Sequence, residues 1–203
     1  MKEKVYSGIV RTTLEAIITK YSQATPGEGF SADNPLWALF TKLQDAFAIS
    51  DVVRKHSNIK VIWSAGKGRL AKIPGVAFLD PRETHTPQKG VFSGLAFRQD
   101  MSGFYLTLIY GATDFIKQHG EQAMASHTKE LREQFKPLLK GFDLDDKINL
   151  HTDGKLGKQY EKAIIAYKFY NAKNIPDDTV ILQDLETVLN AYEQYLAQKK
   201  GVR

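Results

Sequence analysis

The sequence predicts an α/β (α+β) domain: a central mixed or antiparallel sheet of about four to five strands flanked by helices. Three observations predict it. Apolar residues recur at helical spacing near both ends of the chain. Apolar runs bounded by glycine, proline and polar clusters fill the middle. No internal repeat or low-complexity linker divides the 203 residues. Residues 1–203 therefore read as one domain, alone or as the N-terminal part of a larger protein.

Val5, Ile9, Val10, Leu14, Ile17, Ile18 and Tyr21 share one face and predict a first helix. Pro26-Gly27 and Gly29 break it into a loop. Asp33 or Asn34 caps a second helix with Pro35 in its first turn, and Leu36, Leu39, Phe40, Leu43 and Phe47 line its apolar face. Trp37 falls near that face and reads as a core aromatic.

Ile59 to Leu79 predicts a strand, a glycine-kinked turn and a second strand. Ile59, Val61 and Trp63 alternate with Lys60 and Ile62; Gly66-Lys67-Gly68 breaks the rhythm; Val76 to Leu79 restores an apolar run. Two glycines around one lysine allow positive φ on both sides. From Val52 to Leu79 there is no Asp or Glu, while Arg54, Lys55, Lys60, Lys67, Arg69 and Lys72 supply six cations. A basic loop projecting from a sheet suits a polyanion.

Gly90 to Arg98 and Phe104 to Tyr110 read as an antiparallel hairpin across a short turn. Tyr105, Thr107 and Ile109 take one face of its second strand; Phe104, Leu106, Leu108 and Tyr110 take the other. Asp114 to Leu139 is helical in pattern, interrupted at Gly120. Gly141 to Gly157 reads as loop and Ala163 to Tyr170 as a last strand. Leu182, Leu185, Leu189, Tyr192 and Leu196 mark a final helix, with Lys199, Lys200 and Arg203 as a basic end.

Hydrophobic residues at 42% and aromatics at 11% fit a packed domain, and a formal charge of +5 permits nucleic acid without requiring it. The chain has no cysteine, which excludes disulfides, thiolate zinc sites and a cysteine nucleophile. Met1 to Lys4 precedes no signal-peptide core, and no run approaches the roughly 18 apolar residues of a membrane span. The expected location is cytoplasmic, with no membrane partner.

No phosphate-cradling G-x-x-x-x-G-K-[ST] loop is present; Gly66-Lys67-Gly68 is too short. Asp143, Asp145 and Asp146 miss the calcium-loop pattern, and Asp80 and Glu83 read as solvated carboxylates. His56, His85, His119, His127 and His151 form no metal-binding spacing. Ser64 and Ser93 lie beside glycines without making G-x-S-x-G. The reading is a binding module, not an enzyme, with no catalytic residue, metal or cofactor.

Four pieces in order resemble one family. They are Trp63 to Gly68, Ile73 to Leu79, Lys89 to Phe92, and Tyr105 to Thr113. Together they resemble the N-terminal DNA-binding domain of McrB-type modification-dependent restriction systems. The resemblance implies a partner of double-stranded, modified DNA, and a GTPase motor and nuclease subunit, fused or separate. It implies extrusion of a modified cytosine into a pocket, where stacking and hydrogen bonds repay the cost of unstacking. Lys60, Ser64, Gly66, Lys67, Gly68, Arg69 and Lys72 then become the DNA-binding residues; Trp63, Gly75, Phe92 and Ala96 become the base pocket.

The sequence departs from the methylcytosine readers at three positions. Lys67 replaces an aromatic between the two glycines, Gly75 a tryptophan after the proline, and Ala96 a pocket leucine. A lysine pairs with phosphate or a guanine edge instead of wedging. Smaller residues make a roomier pocket, open to hydroxymethyl or glucosylated cytosine. Two alternatives stay open: groove readout without extrusion, and a protein-interaction domain of a defence complex, docking through Leu182 to Leu196.

Overall fold

The computed structural model describes residues 8–25 and 27–200, apart from the side chain of Lys200. Val5, Pro26 and Arg203 lie outside the described residues. The chain runs α1 (Ile9–Ser22), β1 (Gly29–Phe30), α2 (Pro35–Ala48), α3 (Asp51–Lys55), β2 (Lys60–Gly66) and β3 (Gly68–Leu79). It continues β4 (Val91–Phe97), β5 (Gly103–Tyr110), α4 (Ala112–Phe135), α5 (Lys155–Ala163), β6 (Ile164–Asn171) and α6 (Asp178–Lys200).

Every strand pairing is antiparallel, so the sheet is not mixed. The order is β2-β3-β4-β5-β6, with β1 added beside the N-terminal end of β3. The sixth strand beyond the expected four to five is β1. Its two residues carry no periodic signal and exist as strand because Gly29 and Phe30 pair with Arg69 and Gly68.

Helices cover both faces of the sheet. On one, Leu14, Ile17, Phe40, Phe47, Phe78, Phe97, Phe104 and Leu185 make the larger core. On the other, Leu79, Phe92, Tyr105, Ile109, Met124 and Ile164 make a smaller one. β5 sits between them, so its two faces feed two cores and it reads as a continuous apolar run. Each large side chain buried there contributes about 1.5–3 kcal/mol.

The caps follow the local chemistry. Asn34, not Asp33, caps α2: its side chain accepts from Leu36 N at 2.9 Å, with Pro35 in the first turn. Two helices escape the periodicity. α3 is five residues long, held by Ser50 accepting from Val53 N at 3.3 Å. α5 falls partly in the stretch read as loop, because its run KLGKQYEKA offers only three apolar side chains. α4 breaks at Gly120, where φ is 84°.

The α6 stripe Leu185, Leu189, Tyr192 and Leu196 is buried in the larger core, with Leu182 packed against it. It therefore offers no docking face for a partner. Among the described residues, no helix is long and apolar enough to cross a membrane.

Candidate nucleic-acid interface

The hairpin between β2 and β3 turns at Lys67. Gly66 and Gly68 have φ of 120° and 73°. A Cβ on Gly66 would lie 1.9 Å from the Arg69 carbonyl oxygen, so no other residue fits this turn. Lys67 stands exposed at the tip, and Arg69 is exposed just beyond it. Lys67, Arg69 and Lys60 have no ion-pair partner among the described residues. Lys60 lies at the far end of β2, opposite Leu79, roughly 20 Å along the strand from the tip. The structure therefore clusters Lys67 and Arg69 and leaves Lys60 apart.

Behind the tip the hairpin bulges. β2 advances two residues from Ser64 to Gly66 while β3 advances five from Leu70 to Gly75. Pro74 sits in this excursion, where no ladder N–H is required of it. The Tyr21 hydroxyl, donating to the Ala71 carbonyl at 2.6 Å, ties the bulge to α1. Burial pushes the Tyr21 pKa well above its ordinary value, so it stays a donor. Lys72 leaves the bulge sideways, its Nζ 2.7 Å from Asp153 Oδ1 just before α5.

Beside the bulge lies a cavity of about 180 Å³, lined by residues of β2 to β5, Pro87 and Tyr160 of α5. Trp63, Gly75, Phe92 and Ala96 all fall on its wall. Gly75 and Ala96 are direct cross-strand partners, and Ser64 pairs with Gly75 on the other side. Three small residues in a row across three strands leave the hollow. Ile62, Ile73, Phe92 and Ile109 supply apolar walls.

Trp63 takes a different part from the other three. Its ring stacks on Phe40 at 5.5 Å and meets Trp37 edge-on at 4.8 Å. That cluster belongs to the larger core on the opposite face of the sheet. The ring is therefore occupied in packing and is not turned to a ligand in the cavity.

Polar groups on the wall are few. Thr107 Oγ1 donates to the Gly94 carbonyl at 3.0 Å and is already satisfied. Ser64 is exposed, and neither its hydroxyl nor that of Tyr160 has a protein partner among the described residues. Burial pushes the Tyr160 pKa up, which keeps its O–H a donor. Among the lining residues outside the sequence-predicted set, Tyr160 is the one that brings an unpaired hydroxyl from a helix. Its signal was hidden because α5 is short, lysine-rich and set by contacts with α4 and β5.

A wider cleft beside α4 mixes Lys129, Arg132 and Lys162 with Glu121, Glu133, Asp145 and Asp146, so neither charge sign dominates. Among the described residues, no group of three or more His, Asp or Glu side chains is placed to hold a metal ion.

No curated protein and no solved structure matches the chain significantly. Residues 16–197, nearly the whole chain, match the MrcB-like, N-terminal domain family. That span contains the glycine-turned hairpin, its bulge, the cavity and α5 together. By this match, the chain belongs to the MrcB-like N-terminal domain family.

Proposed function

We propose that this chain is the DNA-recognition module of a McrB-like restriction system, binding duplex DNA and receiving one extruded base in the cavity. The observation that carries the reading is the cavity beside the basic hairpin. It is about 180 Å³, and its floor is the Gly75–Ala96 pair. An apolar cavity of about 150 Å³ accepts a benzene-sized ring. This one suits a single pyrimidine with a small 5-substituent; a hexose on that substituent lies outside the mouth.

In this reading Lys67 and Arg69 hold phosphates or base edges beside the extrusion point, and Tyr160 and Phe92 flank the base. Ser64 and Tyr160 offer hydrogen bonds to its polar edge. The cost of unstacking, a few kcal/mol, is recovered by contacts inside the cavity. A GTPase motor and a nuclease subunit, fused or separate, act on what the module finds. The family is a non-catalytic module, which agrees with a reading by binding alone.

The test is a binding panel of otherwise identical duplexes carrying cytosine, 5-methylcytosine, 5-hydroxymethylcytosine or glucosylated cytosine at one site. The expected result is preference for one small modification over the unmodified duplex. Equal affinity for all four overturns base extrusion and leaves groove readout; no binding at low salt overturns DNA recognition.

A further inference from the structure

Two of the elements that line the cavity are joined by a contact that the DNA-binding reading leaves unused. Ile73 and Pro74 of the β3 bulge line the cavity from one side, and Tyr160 of α5 lines it from another. Lys72 immediately precedes the first pair, and Asp153 immediately precedes the α5 N-cap Gly154. Their ion pair, at 2.7 Å, bridges the two lining elements. Lys72 and Gly154 also approach closely: a Cβ on Gly154 would lie 3.4 Å from Lys72 Cδ. Among the described residues, Lys72 is the one cation of the β2–β3 hairpin beyond its tip that is held by an anion, Asp153.

We propose that the mouth of the cavity is a phosphodiester subsite whose place Asp153 holds in the free protein. Docking DNA moves Lys72 from the Asp153 carboxylate to the backbone phosphate beside the extruded nucleotide. The inference rests on the DNA-binding reading and adds an exchange step to it. Both side chains are largely exposed, at 57% and 74% of their surface, so the pair is weak and breaks readily. A weak pair suits this role, because a stronger one would hold Lys72 away from the ligand. The carboxylate left behind repels phosphate and takes up a solvent cation. It thereby reduces non-specific binding where no base fills the cavity.

The sign of the expected effect is unusual: removing a carboxylate strengthens binding. Asp153→Asn should raise affinity for duplex DNA about two- to five-fold at low salt. It should also steepen the slope of log affinity against log salt by about one. Lys72→Gln should weaken binding and make the slope shallower by about one. The measurement is fluorescence anisotropy of a labelled duplex with the purified chain from about 50 to 200 mM salt. Asp153→Ser, with a different hydrogen-bonding group, should repeat the gain. Unchanged or weaker binding by both Asp153 variants, with the wild type still binding, overturns the exchange while leaving DNA recognition intact. Failure of the wild type to bind any duplex overturns both.

Discussion

Gly75 and Ala96 stand directly opposite each other across β3 and β4, and their small size leaves the floor of the cavity open. The two positions are small for different reasons. A Cβ on Gly75 would lie 2.4 Å from the Leu95 carbonyl oxygen, so the backbones have closed on it. Ala96 is half-buried and faces the hollow. Gly75→Ala should therefore cost about 1–3 kcal/mol of stability, the usual penalty for overpacking. Chemical denaturation reads it as a lower midpoint at unchanged slope. Restoring an aromatic at Gly75 should disrupt folding, since strand β4 would have to move away.

Much of this was legible in the sequence, and the losses have physical causes. Gly66-Lys67-Gly68 announced the turn because both glycines take positive φ, which other residues adopt only at a cost. The two hairpins and the long helices followed from periodicity and turn residues, whereas the β3–β4 and β5–β6 pairings have no local signal. α5 did not, and with it Tyr160 was lost, because a nine-residue helix with three apolar side chains depends on its neighbours. β1 is made by its partner. The position of Trp63 in a motif carries no information about which face its ring takes. Phe30, Trp37 and Phe40 decide that face. The Lys72–Asp153 pair joins residues 81 apart and has no local signature.

Charge reversal at the hairpin tip separates binding from folding. Lys67→Glu with Arg69→Glu should leave stability within about 0.5 kcal/mol of the wild type, since both side chains are exposed and unpaired. The same double variant should lose affinity for every duplex and reduce the salt slope by about two. Calorimetry and anisotropy check the two halves. Unchanged affinity removes the hairpin from the interface.

Asp178, the first residue of α6, caps the first helix of the chain. Its two carboxylate oxygens accept from Gly8 N, Val10 N and Arg11 N at 2.8–3.0 Å. The side chain is buried, and it satisfies donors that α1 otherwise leaves orphaned. Asp178→Ala should cost about 1–2 kcal/mol, in the range of a lost cap. Amide exchange at Val10 and Arg11 should quicken more than exchange in β5.

His127 gives the fold an acid sensitivity with a definite sign. Its ring stacks on Phe115 at 5.1 Å and meets Tyr110 edge-on at 4.7 Å. Burial lowers its pKa, outweighing the opposing pull of Glu130, so the folded state favours the neutral ring. The unfolded chain then binds the proton more readily. The stabilisation is complete above the ordinary value of 6.5 and is lost as pH falls through the lower folded value. Melting temperature should fall between about pH 7.5 and about pH 5.5, and His127→Phe should flatten that dependence.

The central claim is that a base enters the cavity. Ala96→Phe fills the floor without touching the hairpin cations, and 2-aminopurine beside the target base brightens when stacking is lost. On the duplex it binds most tightly, the wild-type chain should raise this fluorescence. The Ala96→Phe chain should still bind at low salt, without the rise and without preference among duplexes. A wild-type chain that binds its preferred duplex with no fluorescence change, or an Ala96→Phe chain that keeps the full preference, contradicts the account.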